Sequence, residues 1–160
     1  MYAGFVLVAH ELVKGMIVKP IKLFYKDMTF GAGSPFKSYD EDVRVRDKND
    51  LEACLLYLKD FMEAIDSDDV ATIQELRKHR NEIAHDLVDR IDHLRPKDYE
   101  DLFERVNKTL FKLSNYRAYM EIGADPEYSG IDWSYATGHE YTLFKEVAAD
   151  IKLLTLRKLP

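Results

Sequence analysis

The chain of 160 residues contains one cysteine, Cys54, so no intrachain disulfide can hold it together. That scarcity fits a reducing compartment. A membrane-length apolar run is also missing. Ala3 to Ala9 is almost wholly apolar, but His10, Glu11 and Lys14 interrupt it far short of the roughly 20 residues a span needs. No positively charged stretch precedes it, as a secretory signal would require. Cytoplasm is therefore the expected location, with no membrane partner. Positive charge is in deficit as well: the formal net charge of -6 argues against a dedicated basic coat for nucleic acid and leaves room only for a local basic patch. There is no internal repeat, low-complexity tract or linker, and residues 1–160 read as a single domain.

Metal-ligand spacing is equally sparse. His10-Glu11 and His139-Glu140 are first halves of a zinc-protease motif, but Lys14 and Leu143 stand where the second histidine belongs. With one cysteine and scattered histidines, no metal and no cofactor are expected. Gly31-Ala32-Gly33-Ser34 lacks the lysine-serine ending of a phosphate-binding loop and reads as a turn. Asn107-Lys108-Thr109 has the form of a glycosylation acceptor but falls in the middle of a helical pattern.

What the chain does have is helical rhythm almost throughout. Phe5, Ala9, Leu12 and Met16 form one stripe, which Pro20 should kink or end. Leu51, Cys54, Leu55, Leu58, Phe61, Met62 and Ile65 form a second, with Asn49 or Asp50 as N-cap. Ile73, Leu76, Ile83, Leu87 and Ile91 continue into a third helix, opened by the acidic run Asp66 to Asp69. Leu102, Val106, Leu110 and Leu113 mark a fourth, with Pro96 near its first turn. Phe144, Val147, Ile151 and Leu154 mark a fifth, starting near Thr137. The nearest approach to a strand, Asp42 to Arg46, is too short for a sheet. The expected fold class is all-α, an up-down bundle of four to five helices in which short connections make helices two, three and four antiparallel neighbours. Two longer gaps, Lys26 to Lys48 and Gly123 to Thr137, are of a length that is usually functional or partner-binding. Trp133, beside Tyr128 and Tyr135, reads as an anchor for the second, and the aromatic residues Tyr99, Phe103, Tyr116 and Tyr119 read chiefly as packing groups.

One position breaks the pattern. On a helix turning about 100° per residue, Ile73, Leu76, Ile83, Leu87 and Ile91 fall within about 80° of one another, and Arg80 lies inside that sector. An unpaired buried guanidinium costs several kcal/mol, so Arg80 calls for a carboxylate, a phosphate or a wet cleft. Asn81 and His85, four residues apart, are neighbours on the flank of the same helix. Arg80 and His85 point about 140° apart on a regular helix, so they meet at one phosphate only if the helix bends, if the side chains wrap a groove, or if a second subunit supplies the opposing copy. Arg77, Lys78 and Arg90 are candidates to guide an RNA backbone, whereas His79 and His93 read as surface histidines.

The string Arg80-Asn81-Glu82-Ile83-Ala84-His85, on an amphipathic helix of a small all-α chain, resembles the signature of the HEPN superfamily (higher eukaryotes and prokaryotes nucleotide-binding). That signature is an arginine, a polar residue directly after it, and a histidine four to six residues beyond. Arg80, Asn81 and His85 occupy those three positions. The resemblance implies a metal-independent ribonuclease acting as a dimer whose motifs face each other across a cleft, as in toxins and phage-defence effectors. Other members have lost catalysis and serve as RNA-binding or scaffold modules, the alternative expectation here. Toxins paired with a small nucleotidyltransferase antitoxin carry a tyrosine two residues after the histidine. Leu87 stands at that position, so that particular antitoxin partner is not implied.

The chemistry matches the residue types. Metal-free RNA cleavage uses the ribose 2′-hydroxyl as nucleophile, and an imidazole with a pKa of about 6.5 can move the proton at neutral pH. His85 is the expected acid or base. A bidentate arginine, Arg80, would stabilise the charge gathering on the phosphorane, and Asn81 would hold the phosphate or orient the histidine.

Overall fold

The computed structural model describes residues 2–28, 37–85, 100–123 and 125–156. Leu87, Arg90, Ile91, His93, Pro96, Tyr99 and the Gly31–Ser34 turn lie outside them, as do the side chains of Ile151 and Leu154. The described residues form six α-helices: α1 Tyr2–Met28, α2 Tyr39–Asp42, α3 Asp50–Asp60, α4 Ser67–His85, α5 Glu100–Ile122 and α6 His139–Leu156. Short 3-10 turns at Arg44–Arg46, Pro126–Tyr128 and Trp133–Tyr135 complete them, and no strand occurs among the described residues. The expected count of four to five is thus exceeded by one-turn helix α2, which a stretch without apolar periodicity did not announce. No described helix is long and apolar enough to cross a membrane.

The four long helices close a ring of contacts, α1 on α4, α4 on α5, α5 on α6 and α6 on α1, with α3 packed against both α1 and α4. Side-chain pairs set the directions. Arg105 meets Thr72 and Glu75, whereas Lys112, further along α5, meets Asp66 and Asp69 at the start of α4. Rising numbers on one helix pair with falling numbers on the other, so α4 and α5 are antiparallel, as short connections predicted. Pairs from Arg117 to Glu140 and Phe111 to Tyr141 set α5 and α6 the same way.

Helix α1 departs from expectation in the face it buries, and of the two outcomes expected at Pro20, a kink or an end, it does not take the second. Its deepest residues are Val6, Ala9, Val13 and Ile17, while Leu12 and Met16 are only half-buried, so the buried stripe is rotated by about one residue from the predicted one. The helix also continues past Pro20 to Met28. A helix-interior proline costs about 3 kcal/mol, but Ile21 and Tyr25 beyond it are buried, Tyr25 hydrogen-bonds Asp42, and Lys22 pairs with Asp50 at 2.6 Å. Tertiary packing outweighs the local cost.

Helix α3 is capped by Asn49, whose side-chain oxygen accepts from the Leu51 and Glu52 amides. It was expected to reach Ile65 and instead stops at Asp60. The Ala64 amide reaches back to the Leu58 carbonyl at 2.9 Å, and Glu63 takes the left-handed conformation (φ 52°) that closes such a terminus. Glycine normally marks that position, and its absence hid the stop. Cys54, on the same helix, is fully buried with its sulfur 3.5 Å from the Tyr39 hydroxyl, and burial pushes its thiol pKa up.

Helix α4 opens on a reciprocal cap: Asp66 accepts from the Asp68 and Asp69 amides, and Asp69 accepts from the Asp66 amide. Lys112 holds both carboxylates, at 2.9 Å from Asp66 and 2.7 Å from Asp69, while buried Thr109 donates to Asp69 at 2.7 Å. The long segment before α6 is anchored by Asn115, whose amide donates to the carbonyls of Trp133 and Ala136, and by Trp133 packing edge-on to Tyr119.

Two tests follow from these termini. Glu63→Gly should raise stability by about 1 kcal/mol, because glycine adopts φ > 0 without the Cβ clash; urea unfolding with an unchanged m-value measures it. The Lys112 contact and two backbone amides depress the Asp66 carboxyl from 3.8 to about 2. Stability from a depressed carboxyl is present above its unfolded pKa and is lost as pH falls through the folded one. The difference in melting temperature between wild type and Lys112→Ala should therefore be present at neutral pH and shrink between about pH 4 and pH 2.

Candidate functional site

The inner face of α4 runs through Val70, Ile73, Leu76 and Ile83, all buried. One turn of that stripe is polar: His79 is 5% exposed, and Arg80 beside it keeps 34% of its side-chain surface. His79 is thus a buried histidine, not the surface one expected. It stands three residues after Leu76 and four before Ile83, which fixes it on the packed face.

Arg80 turns toward α1. Its Nη2 lies 3.7 Å from Glu11 Oε1, and its Nη1 donates to Asn81 Oδ1 at 3.2 Å. Its Nε is buried and has no hydrogen-bond partner among the described residues. His10 lies on the facing side of the same seam, 6% exposed, with Nδ1 3.3 Å from Glu11 Oε1 and a buried, unpartnered Nε2. Burial lowers the His10 pKa, Glu11 opposes the shift, and the charges of Arg80 and Lys14 reinforce it. Burial therefore favours the neutral form of His10. Buried polar atoms left unpaired cost about 1–3 kcal/mol each, so this seam is expensive for the fold.

Asn81 and His85 face the other way. With Glu52, Gln74, Arg77, Lys78 and Glu82 they line a shallow, open groove of about 650 Å³ along α3 and α4. Arg77, expected to guide RNA, donates to Glu52 at 2.7 Å, and Gln74 occupies the other Glu52 oxygen at 2.9 Å. Lys78 and His85 are exposed. The groove is of mixed sign, with two acids among its cations.

The three motif residues are consequently divided. Asn81 joins both halves, hydrogen-bonded to Arg80 and sharing the groove with His85. Arg80 does not line that groove. Helix α4 is continuous to His85, with Arg80 turned to the α1 side and His85 to the groove. Arg80 and His85 therefore share no pocket within the described chain. Among the described residues, no three His, Cys, Asp or Glu side chains gather as a metal-binding group.

His10 and Glu11 were missed because they were weighed only as a broken zinc motif. The available signal was periodicity: His10 follows Val6 by four and precedes Val13 by three, squarely on the buried face. Comparison with protein-family models, curated proteins and solved structures found no match to this chain.

A structural role and a functional role for Arg80 make opposite demands on stability. Methionine of similar length would fill the seam without an unpaired Nε, so Arg80→Met should leave stability unchanged or raise it by up to about 1 kcal/mol. Thermal unfolding measures this; a loss of several kcal/mol would make Arg80 a structural ion-pair residue.

Proposed function

We propose that the chain is a metal-independent endoribonuclease of HEPN type that cleaves RNA through the ribose 2′-hydroxyl. The observation that carries this reading is Arg80, a part-buried guanidinium at the α1–α4 seam with its Nε buried and unpartnered, linked through Asn81 to the groove where His85 is exposed. A fold gains nothing from an unsatisfied buried donor, whereas a phosphate ligand does.

In this reading His85 takes the 2′-hydroxyl proton or returns one to the departing 5′-oxygen. The 2′-oxygen bonds to phosphorus as the P–O5′ bond breaks, giving a 2′,3′-cyclic phosphate and a 5′-hydroxyl. Arg80 stabilises the charge on the non-bridging oxygens, and Asn81 fixes the guanidinium. A homodimer would set His85 of one copy toward Arg80 of the other. Lys78 is better placed than Arg77 to attract the backbone, since Arg77 is engaged by Glu52. The resemblance extends to toxins and phage-defence effectors, and an antitoxin or defence-system partner belongs to the same proposal.

A second reading is a catalytically silent RNA-binding or scaffold module. The Arg80–Glu11 and Arg77–Glu52 pairs favour it, because both arginines have acids of their own chain within 4.0 Å. Cleavage decides between the two. Wild-type protein should cut mixed cellular RNA with EDTA present, leaving cyclic phosphate ends, while Arg80→Ala and His85→Ala, folded by circular dichroism, should lose at least about 100-fold in rate. Chelator-sensitive cleavage, or full activity in either variant, would sink the enzymatic reading.

A further inference from the structure

The single carboxylate oxygen Oε1 of Glu11 lies 3.3 Å from His10 Nδ1 and 3.7 Å from Arg80 Nη2. An anionic oxygen therefore sits between nitrogens supplied by two helices, α1 and α4. The nitrogens are more buried than the oxygen: the His10 side chain is 8% exposed and that of Arg80 34%, against 56% for Glu11. At 3.7 Å the carboxylate is outside hydrogen-bond reach of the guanidinium, so it neutralises Arg80 only in part. The remaining buried nitrogens, His10 Nε2 and Arg80 Nε, have no partner among the described residues. Lys14, one turn after His10 and exposed, adds a further positive charge whose field reaches the imidazole.

We propose that His10 Nδ1 and Arg80 Nη2 form a phosphate-binding site whose position is held by the Glu11 carboxylate, which an incoming phosphate displaces. The proposal rests on the reading of Arg80 as a phosphate ligand and extends it to α1. Neutral His10 donates through Nδ1–H, as it must to a carboxylate oxygen. A phosphate oxygen in the place of Oε1 makes the same contact, and the other oxygens of the tetrahedron are available to the exposed edge of Arg80 and to Lys14. A dianion or a diester with several acceptors suits a fork of donors better than one distant carboxylate oxygen. Glu11 has an alternative, because a half-exposed side chain rotates into water at small cost. The acid then acts as a competitor built into the site: weak anions fail to displace it, and phosphate succeeds.

Inorganic phosphate and a short 2′-O-methyl oligoribonucleotide, which lacks the attacking hydroxyl, are titrated into wild type, Glu11→Gln and Arg80→Ala. The side-chain NMR signals of His10 and the arginine Nε–H groups report binding. Phosphate should shift the His10 and Arg80 signals, bind roughly three- to tenfold more tightly to Glu11→Gln, and lose measurable binding in Arg80→Ala. Tighter binding of the oligonucleotide than of phosphate would identify an RNA backbone as the source of the oxyanion; equal affinities would identify free phosphate, and both support the site. Unchanged or weaker phosphate affinity in Glu11→Gln, or shifts confined to His85, would overturn it. Absence of RNA cleavage alongside these expected shifts would remove the ribonuclease reading and leave the anion site standing. Arg80-dependent cleavage with no gain in Glu11→Gln would do the reverse.

Discussion

Helix α4 packs against α1, α3 and α5 at once, and this constraint governs the rest of the molecule. A helix covered on so much of its circumference should be apolar along the covered face. Here that face carries Val70, Ile73, Leu76 and Ile83 but places His79 and Arg80 in the turn between the last two. The neighbouring elements accommodate the polarity unequally. At the N-terminal end Asp66 and Asp69 are saturated by backbone amides, Thr109 and Lys112. In the middle, Glu52 absorbs Arg77 and Gln74. Among the described residues, pairing falls short at the α1 seam, with one carboxylate oxygen shared between His10 and Arg80. Polar satisfaction therefore declines along α4 toward Arg80, whose Nε is left without a partner.

The all-helical architecture could be read from residues whose spacing alone was informative. Leu102, Val106, Leu110 and Leu113 form the core stripe of α5 as the rhythm requires, and Asn49 caps α3 where a short polar side chain precedes an apolar repeat. The misreadings share a physical origin: local rules were overridden by long-range contacts. Pro20 does not end α1 because the following turn is tied to α2 and α3. Glu63 stops α3 in a conformation usually left to glycine. The buried stripe of α1 is displaced because its neighbours select among several apolar faces, a choice that periodicity in one helix cannot make.

At the candidate site the same distinction holds. The anomaly of Arg80 was visible from its angular position, and so was the divergence of Arg80 and His85 on a regular helix. What could not be read was the partner helix. His10 and Glu11 are 69 or more residues away in sequence from Arg80, and their approach is a product of how α1 seats on α4. Arg77 looked like a surface cation until Glu52 came across from α3. The motif residues are thus split between the part-buried α1 seam and an open groove, with Asn81 touching both. Under the ribonuclease reading proposed above, two copies would assemble one reaction centre, each contributing a guanidinium from one side and an imidazole from the other.

Cys54 offers a way to test whether two copies assemble. Its thiol is sealed inside α3, fully buried, and is the sole cysteine of the chain, so the exterior carries no competing sulfhydryl. Any cysteine introduced on the outer surface becomes a unique attachment point for a spin or fluorescent reporter. Distances between such reporters on paired molecules would map how two protomers approach, without first stripping the native sequence of its own sulfur.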